Sequence, residues 1–328
     1  MAPHRALARL SLAEIEAALG GQGLYLDVGL ATMRVRSNAK PLAVQLQSAY
    51  RHFVANTEAT WADLHLDIRR AGGLRRWVRP QVRFFCDGDE PFEPFRLDTA
   101  LPLLEWGANF LIGRRFNNTL LLHAGVVERD GFTLVMPALP GSGKSTLTAA
   151  LSLRGWRLLS DEFGALDLNT GSFSPVLKPV ALKNDSIGVI RRFAPEAELG
   201  IEFPRTRKGH VAHLGPSRES VAGLHRPARP GAVLLPRWEA GTPTQLLDVQ
   251  PQMAFSALAF NAFNYPALGA QGFKAAVALS QAGPAWQLLY SDLDEALDRL
   301  SREWPAVVAR ARERDSAARS LPDDDWPA

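Results

Sequence analysis

Ala138-Leu139-Pro140-Gly141-Ser142-Gly143-Lys144-Ser145-Thr146 is the stretch on which the reading of this chain turns. A glycine-rich run ending in Lys-Ser can fold as a loop whose backbone N–H groups converge on one anion. Gly141 and Gly143 supply the dihedral freedom that such a loop needs, and a helix opening near Lys144 would add its positive dipole end. In that geometry Pro140, Gly141, Ser142, Gly143 and Thr146 help to form a phosphate cradle. The Lys144 ammonium reaches the β- and γ-phosphates of a nucleoside triphosphate, and the Ser145 hydroxyl ligates magnesium. The run departs from the strict pattern at one place, Ala138 standing where the motif has glycine. Its flanks are of the required kind. Residues 132–136 read as a strand, and residues 144–153 as a helix closed by Gly155 in the left-handed region.

Working outward, residues 120–127 read as one apolar strand, followed by a turn at Arg129-Asp130-Gly131. On the other side, residues 156–160 read as a strand that delivers Asp161 and Glu162 at its C-terminal end. Asp161 comes only seventeen residues after Lys144. If that strand runs parallel to the loop strand, both ends open on one crevice and the Asp161 carboxylate can face the phosphates. A carboxylate there can hold magnesium or take a proton from an attacking hydroxyl. Successive strand side chains point to opposite faces, so only one of Asp161 and Glu162 should face the phosphates. His123, within the apolar run, reads by itself as a satisfied core histidine. Residues 165–173 read as a hairpin.

The whole chain has 328 residues, 46% of them hydrophobic and 22% charged, a balance that can bury a sizeable core. That length suggests two domains. A net charge of +3 with scattered basic residues gives no nucleic-acid footprint. No apolar run approaches the roughly eighteen residues that a membrane span needs. The first five residues lead into an amphipathic stretch rather than a signal core, so the cytoplasm is the expected compartment. The single cysteine, Cys86, excludes an internal disulfide and a multi-cysteine metal site and reads as buried. Of 37 basic residues only six are lysines: Lys40, Lys144, Lys178, Lys183, Lys208 and Lys274. In so arginine-rich a chain a lysine is mildly informative, although codon bias explains the ratio equally well.

Before the loop region, residues 11–19 read as a short helix capped by Ser11, and 24–28 and 33–36 as strands. Pro41 opens a helix expected to run through Phe53, and 64–68 and 82–85 alternate as half-buried strands do. Residues 97–114 read as helical. Later, 232–236 reads as a strand, 251–263 as a helix and 292–310 as an amphipathic helix, with fraying expected after Glu313. The expected organisation is an α/β protein: an N-terminal α+β domain over 1–115, a nucleotide-binding domain over 116–312 and a tail over 313–328.

Three segments taken together resemble a known family. His123-Ala124-Gly125-Val126-Val127, the loop Gly141-Ser142-Gly143-Lys144-Ser145-Thr146, and Arg154-Gly155-Trp156-Arg157-Leu158-Leu159-Ser160-Asp161-Glu162 resemble the catalytic core of the HPr serine kinase/phosphorylase family. The branch they match best is that of HprK-related kinase A, whose members tend to be encoded beside small PqqD-like proteins. The resemblance is good over residues 119–183 and loose to about 300, while the first 100 residues do not visibly resemble the N-terminal domain of the classical enzymes. It implies a PEP-carboxykinase-like nucleotide fold, distinct from the Ras type. The activity implied is magnesium-dependent transfer of the γ-phosphoryl group of ATP to a serine-type hydroxyl of a small protein or peptide, HPr-like or PqqD-like. Related kinases assemble into rings, so a homo-oligomer is an expectation.

Carried over by position, Asp161 would be the base, Glu162 the second member of an acidic pair, and His123 would help to orient the base. The chain departs from the family where a later glutamate helps to bind magnesium. The corresponding residues 178–186 contain no glutamate, and Lys178 and Lys183 could instead stabilise charge on the moving phosphoryl group. Arg229, with Arg226 close behind, is the candidate for a family arginine ahead of a later strand. The basic segment 205–210 with His213 reads as a solvated loop that could also cover phosphates. Trp238, Trp286 and Phe263 read as core. Recruitment of a substrate or partner is the expected part of the N-terminal domain. Two rival readings stand beside the protein kinase. A small-molecule kinase would show an enclosed pocket above Asp161. A non-catalytic ATP-sensing module would show Asp161 buried and turned away from the phosphates.

Overall fold

The computed structural model describes residues 5–139 and 141–320. It is a mixed α/β protein built on several sheets. The first is seven-stranded, in the order Arg5–Ala6, Val54–Asn56, Leu24–Asp27, Thr32–Ser37, Leu64–Arg70, Gln81–Phe85, Phe95–Arg96. Alternation sets its inner face: Leu64, Leu66 and Ile68 are buried while His65 is exposed. Ser11 caps the Leu12–Gly20 helix through a reciprocal capping box with Glu14. The Pro41 helix stops at Ala49 rather than at Phe53. The carbonyls of Arg51 and Phe53 accept instead from the amides of Ala8 and Leu7, and a carbonyl so engaged is not continuing a helix. Tyr50 and Phe53 remain buried all the same.

The second sheet carries the loop. Its six strands lie in the order Arg157–Ser160, Ala124–Arg129, Phe132–Pro137, Arg229–Trp238, Ala285–Tyr290, Gln245–Asp248. Asp130 (φ 57°) and Gly131 (φ 90°) make the tight turn between the second and third of these. Ala124–Arg129 is antiparallel to both of its neighbours, so Phe132–Pro137 and Arg157–Ser160 run in the same direction with one strand between them. Arg229–Trp238 and Ala285–Tyr290 continue parallel to the loop strand. The glycine-rich loop, Asp161, Trp238 and Tyr290 therefore all leave the sheet along one edge.

The apolar run 120–127 is two strands, not one. Thr119–Leu122 pairs with Gly164–Asp167 in a separate three-stranded sheet, whereas Ala124–Arg129 belongs to the loop sheet. The chain changes sheets at His123, whose amide donates to the Asn261 carbonyl at 2.6 Å. Unbroken hydrophobicity does not reveal such a switch, because both halves are buried on both faces.

One hydrophobic cluster runs from Leu7, Leu26 and Phe84 through Leu134 and Trp156 to Trp304, so the core is continuous between the two large sheets. Backbone bonds also tie the turn after Leu24–Asp27 to the segment around residues 175–177, Leu30 N to Pro175 O (2.9 Å) and Leu177 N to Val28 O (2.8 Å). The terminal helix spans Leu293–Ser320. Residues 313–320, expected to fray, continue it, and 321–328 lie outside the described residues. Cys86 is buried as expected. Among the described residues no helix is long and apolar enough to cross a membrane.

Candidate functional site

After Phe132–Pro137 the chain makes the loop and enters the Lys144–Leu153 helix, the span read from the sequence. Gly141 (φ 88°) and Gly143 (φ 90°) both occupy the left-handed region. Gly143 is the N-cap and offers no side chain to the first turn, so the amides there remain available to an anion. The loop is fastened to the sheet edge from two sides. The Trp238 amide donates to Ser142 O at 3.1 Å, and Tyr290 Oη lies 3.4 Å from Gly143 O. Burial raises the Tyr290 phenol above its ordinary pKa, so it stays a donor. A Cβ at position 143 would come within 2.5 Å of Tyr290 Oη and 3.1 Å of Trp238 Cβ, so glycine is required for space as well as for φ. Gly125 has a similar part, because a Cβ there would collide with the Thr148 hydroxyl of the loop helix. Pro140 lies outside the described residues.

Lys144 joins the loop to the acidic pair. Its Nζ is 3.0 Å from Asp161 Oδ1 and also donates to the Asp161 carbonyl, with both side chains buried. Asp161 Oδ2 is buried and has no hydrogen-bond partner among the described residues. The strand ends at Ser160, and in the bend beyond it Glu162 points away from Lys144 and stands 3.7 Å from His123 Nε2. That distance is too long for a hydrogen bond. Burial pushes the Glu162 carboxyl up, but the ammoniums of Lys144, Lys178 and Lys183 together outweigh it and hold the group below the usual carboxylate range. Burial, and then the Lys144 charge, hold the His123 imidazole below its ordinary value, so it is neutral at pH 7.

The fold thus brings Lys144, Ser145, Asp161, Glu162, His123 and Lys183 to one edge. Arg229 is not among them. It opens the strand Arg229–Trp238 and is paired in register with Phe132, the first residue of the loop strand. Parallel strands begin at the same edge, which puts Arg229 about 17 Å from the loop, at the far end of the sheet. Its guanidinium pairs with Asp315 and stacks over Phe132, 4.7 Å from the ring centre. Arg226 also faces away, 3.9 Å from Glu128. Lys178 is close to the site but already engaged: it is buried, with Nζ 3.2 Å from Glu105 and in contact with Asn109. Trp238 and Phe263, expected in the core, are 50% and 53% exposed at the mouth of the site, whereas Trp286 is buried. The basic segment 205–210 is the end of a hairpin of Phe203–Thr206 and Gly209–Leu214, with Arg207 and Lys208 exposed at its turn, whereas His213 is buried.

No protein-family model matches this chain, and no curated protein matches it either.

Glu105 and Asn109 were not expected at the site. They lie four residues apart on the Ala100–Arg115 helix, and the polar i, i+4 pair in an apolar helix is the signal that could have found them. Glu105 also accepts from the buried Tyr50 hydroxyl. Beside this helix is a cleft of about 450 Å³ whose wall includes Glu162 and Lys183. Among the described residues no three His, Cys, Asp or Glu side chains form a metal cluster. Magnesium does not need one, since it is commonly held by one or two carboxylates together with substrate phosphates and water. The unpartnered Asp161 Oδ2 fits that demand, and Ser145 and Asp161 are the residues that would hold the ion.

His213, against the same cleft, is 2% exposed, and burial pushes its imidazole down to about 4 from an ordinary 6.5. Its folded value lies below its unfolded one, so its contribution to stability is present above pH 6.5 and is lost as pH falls through 4. The expected loss is about 3 kcal/mol. Urea unfolding between pH 7 and pH 4 measures it, and His213→Leu should flatten the slope over that window. Nδ1 has no partner to forfeit.

Proposed function

We propose that this protein is an ATP- and magnesium-dependent phosphotransferase that moves the γ-phosphoryl group to a hydroxyl. The observation that supports this most is the bridge from Lys144 to Asp161, which ties a phosphate-binding loop to a buried carboxylate on the same sheet edge. The loop amides and the helix N-terminus would cradle the β- and γ-phosphates. Two of the three Lys144 donors are used within the protein, and the third can reach a phosphate oxygen. Magnesium, when bound by Ser145 and Asp161, supplies neutralisation of the phosphate charge. Asp161 accepts the hydroxyl proton as the acceptor oxygen bonds to the γ-phosphorus, and the β–γ bridging oxygen departs with ADP. A carboxylate has about four lone-pair sites, so the Lys144 bond leaves capacity for both duties. Glu162 and Lys183 stand on the acceptor side.

The resemblance to the HPr kinase family favours a serine of a small protein or peptide as the acceptor. The cleft beside Glu162 favours a small-molecule hydroxyl. The burial of Asp161 is what an ATP-sensing module would show, but the bond to Lys144 turns the carboxylate toward the loop instead of away from it. ADP formation from ATP and magnesium by the purified full-length protein tests the reading, with and without hydroxyl acceptors. Release of ADP that rises with an acceptor supports transfer. ATP binding without any turnover would replace it with the sensing module.

A further inference from the structure

The cleft is closed on one side by the Ala100–Arg115 helix, which contributes Trp106 and Phe110, and on the other by Phe163 and Phe263. Phe163 and Phe263 stack on each other, with ring centres 4.7 Å apart. A smaller cavity of about 30 Å³ shares Glu105, Asn109, Glu162 and Ala181 with the cleft and reaches Asp161. The apolar space therefore narrows toward the carboxylate assigned as base. At its rim the hairpin tip lays two cations over aromatic faces. Arg207 sits 4.8 Å from the Phe95 ring centre, and Lys208 Nζ 5.3 Å from that of Trp106.

None of Lys183, Arg207 and Lys208 has a carboxylate within 4.0 Å among the described residues. Against these three cations the cleft sets two carboxylates, and one of them, Glu105, is already neutralised by Lys178. An aromatic chamber with an unpaired cationic rim selects a flat apolar body joined to an anion. A volume of about 450 Å³ suits a small molecule and not a folded domain.

We propose that this cleft is the acceptor site, and that the acceptor is a small hydroxy compound carrying one aromatic or similarly flat group and one carboxylate-type anion. The apolar group lies among Trp106, Phe110, Phe163 and Phe263, the anion meets Arg207 and Lys208, and the hydroxyl points down toward Asp161. The assignment of the hydroxyl rests on the phosphotransferase reading, whereas the recognition of ring and anion does not.

Equilibrium binding to the full-length protein without nucleotide separates the two. The probes are phenyllactate, lactate, which lacks the ring, and phenylethanol, which lacks the anion. Phenyllactate is expected to bind at least about tenfold more tightly than either truncated probe. The double variant Arg207→Gln/Lys208→Gln, at exposed positions that leave folding intact, should bring phenyllactate down to the level of phenylethanol. Phe110→Ala should bring it toward that of lactate. Equal binding of the three probes, or a wild-type preference surviving in the double variant, overturns the proposal. Turnover with ATP is scored separately: binding with the expected preference but without phosphorylation sustains the recognition of ring and anion and overturns the placement of the acceptor hydroxyl toward Asp161.

Discussion

Asp161→Asn should reduce phosphoryl transfer by about three orders of magnitude while leaving ATP binding within a few-fold of wild type. The amide keeps Oδ1, so the 3.0 Å contact from Lys144 can persist and the loop keeps its support. What disappears is the second oxygen's ability to accept a proton. In the wild type that atom is buried and unpartnered, a costly condition for a carboxylate that serves no purpose. Single-turnover transfer from labelled ATP, beside nucleotide titration, measures both halves. A variant that transfers at the wild-type rate would remove Asp161 from the chemistry. One that no longer binds ATP would make it a structural partner of the loop.

Lys144→Met has the larger expected effect on the fold. The Lys144 and Asp161 side chains are 8% and 2% exposed, so removing the ammonium strands a carboxylate in the interior. The expected cost is about 3–5 kcal/mol, because breaking a buried pair leaves an uncompensated charge. Removing both charges, as Lys144→Met with Asp161→Leu, should restore most of that stability while phosphoryl transfer stays absent. Urea unfolding of the two variants against wild type decides the matter. If the single variant loses less than about 1 kcal/mol, the pair behaves like a surface ion pair and does not tie the loop to the carboxylate.

These two residues were legible early because their meaning is local. Gly141 and Gly143 announce positive φ, Gly155 (φ 87°) closes the helix as expected, and the helix bounds 144–153 agree with the sequence reading. Alternation along 64–68 and the Ser11 cap were readable for the same reason: a few neighbouring residues determine a dihedral preference or a buried face. Arg229 was misplaced because its position depends on which end of a parallel strand it occupies, and no local signal encodes that. The engagement of Lys178, a candidate for stabilising charge on the phosphoryl group, was not legible because its partners, Glu105 and Asn109, come some seventy residues earlier in the chain. Phe263 and Trp238 were assigned to the core on their hydrophobicity alone, which does not distinguish a core side chain from one lining a mouth.

By itself the sequence determined the glycine-rich loop, the strand before it, the helix after it and the presence of a carboxylate one strand further on. Those are properties of short segments, governed by glycine dihedrals, hydrophobic period and capping. The tertiary structure decided that the Arg157–Ser160 strand runs parallel to the loop strand across an antiparallel intermediate, and this is what presents Asp161 to Lys144. It also split the 120–127 run at His123 and folded a basic hairpin over a helix from the first 115 residues to make the aromatic cleft. Such juxtapositions arise from burying a shared core between distant segments, and that depends on the whole chain at once.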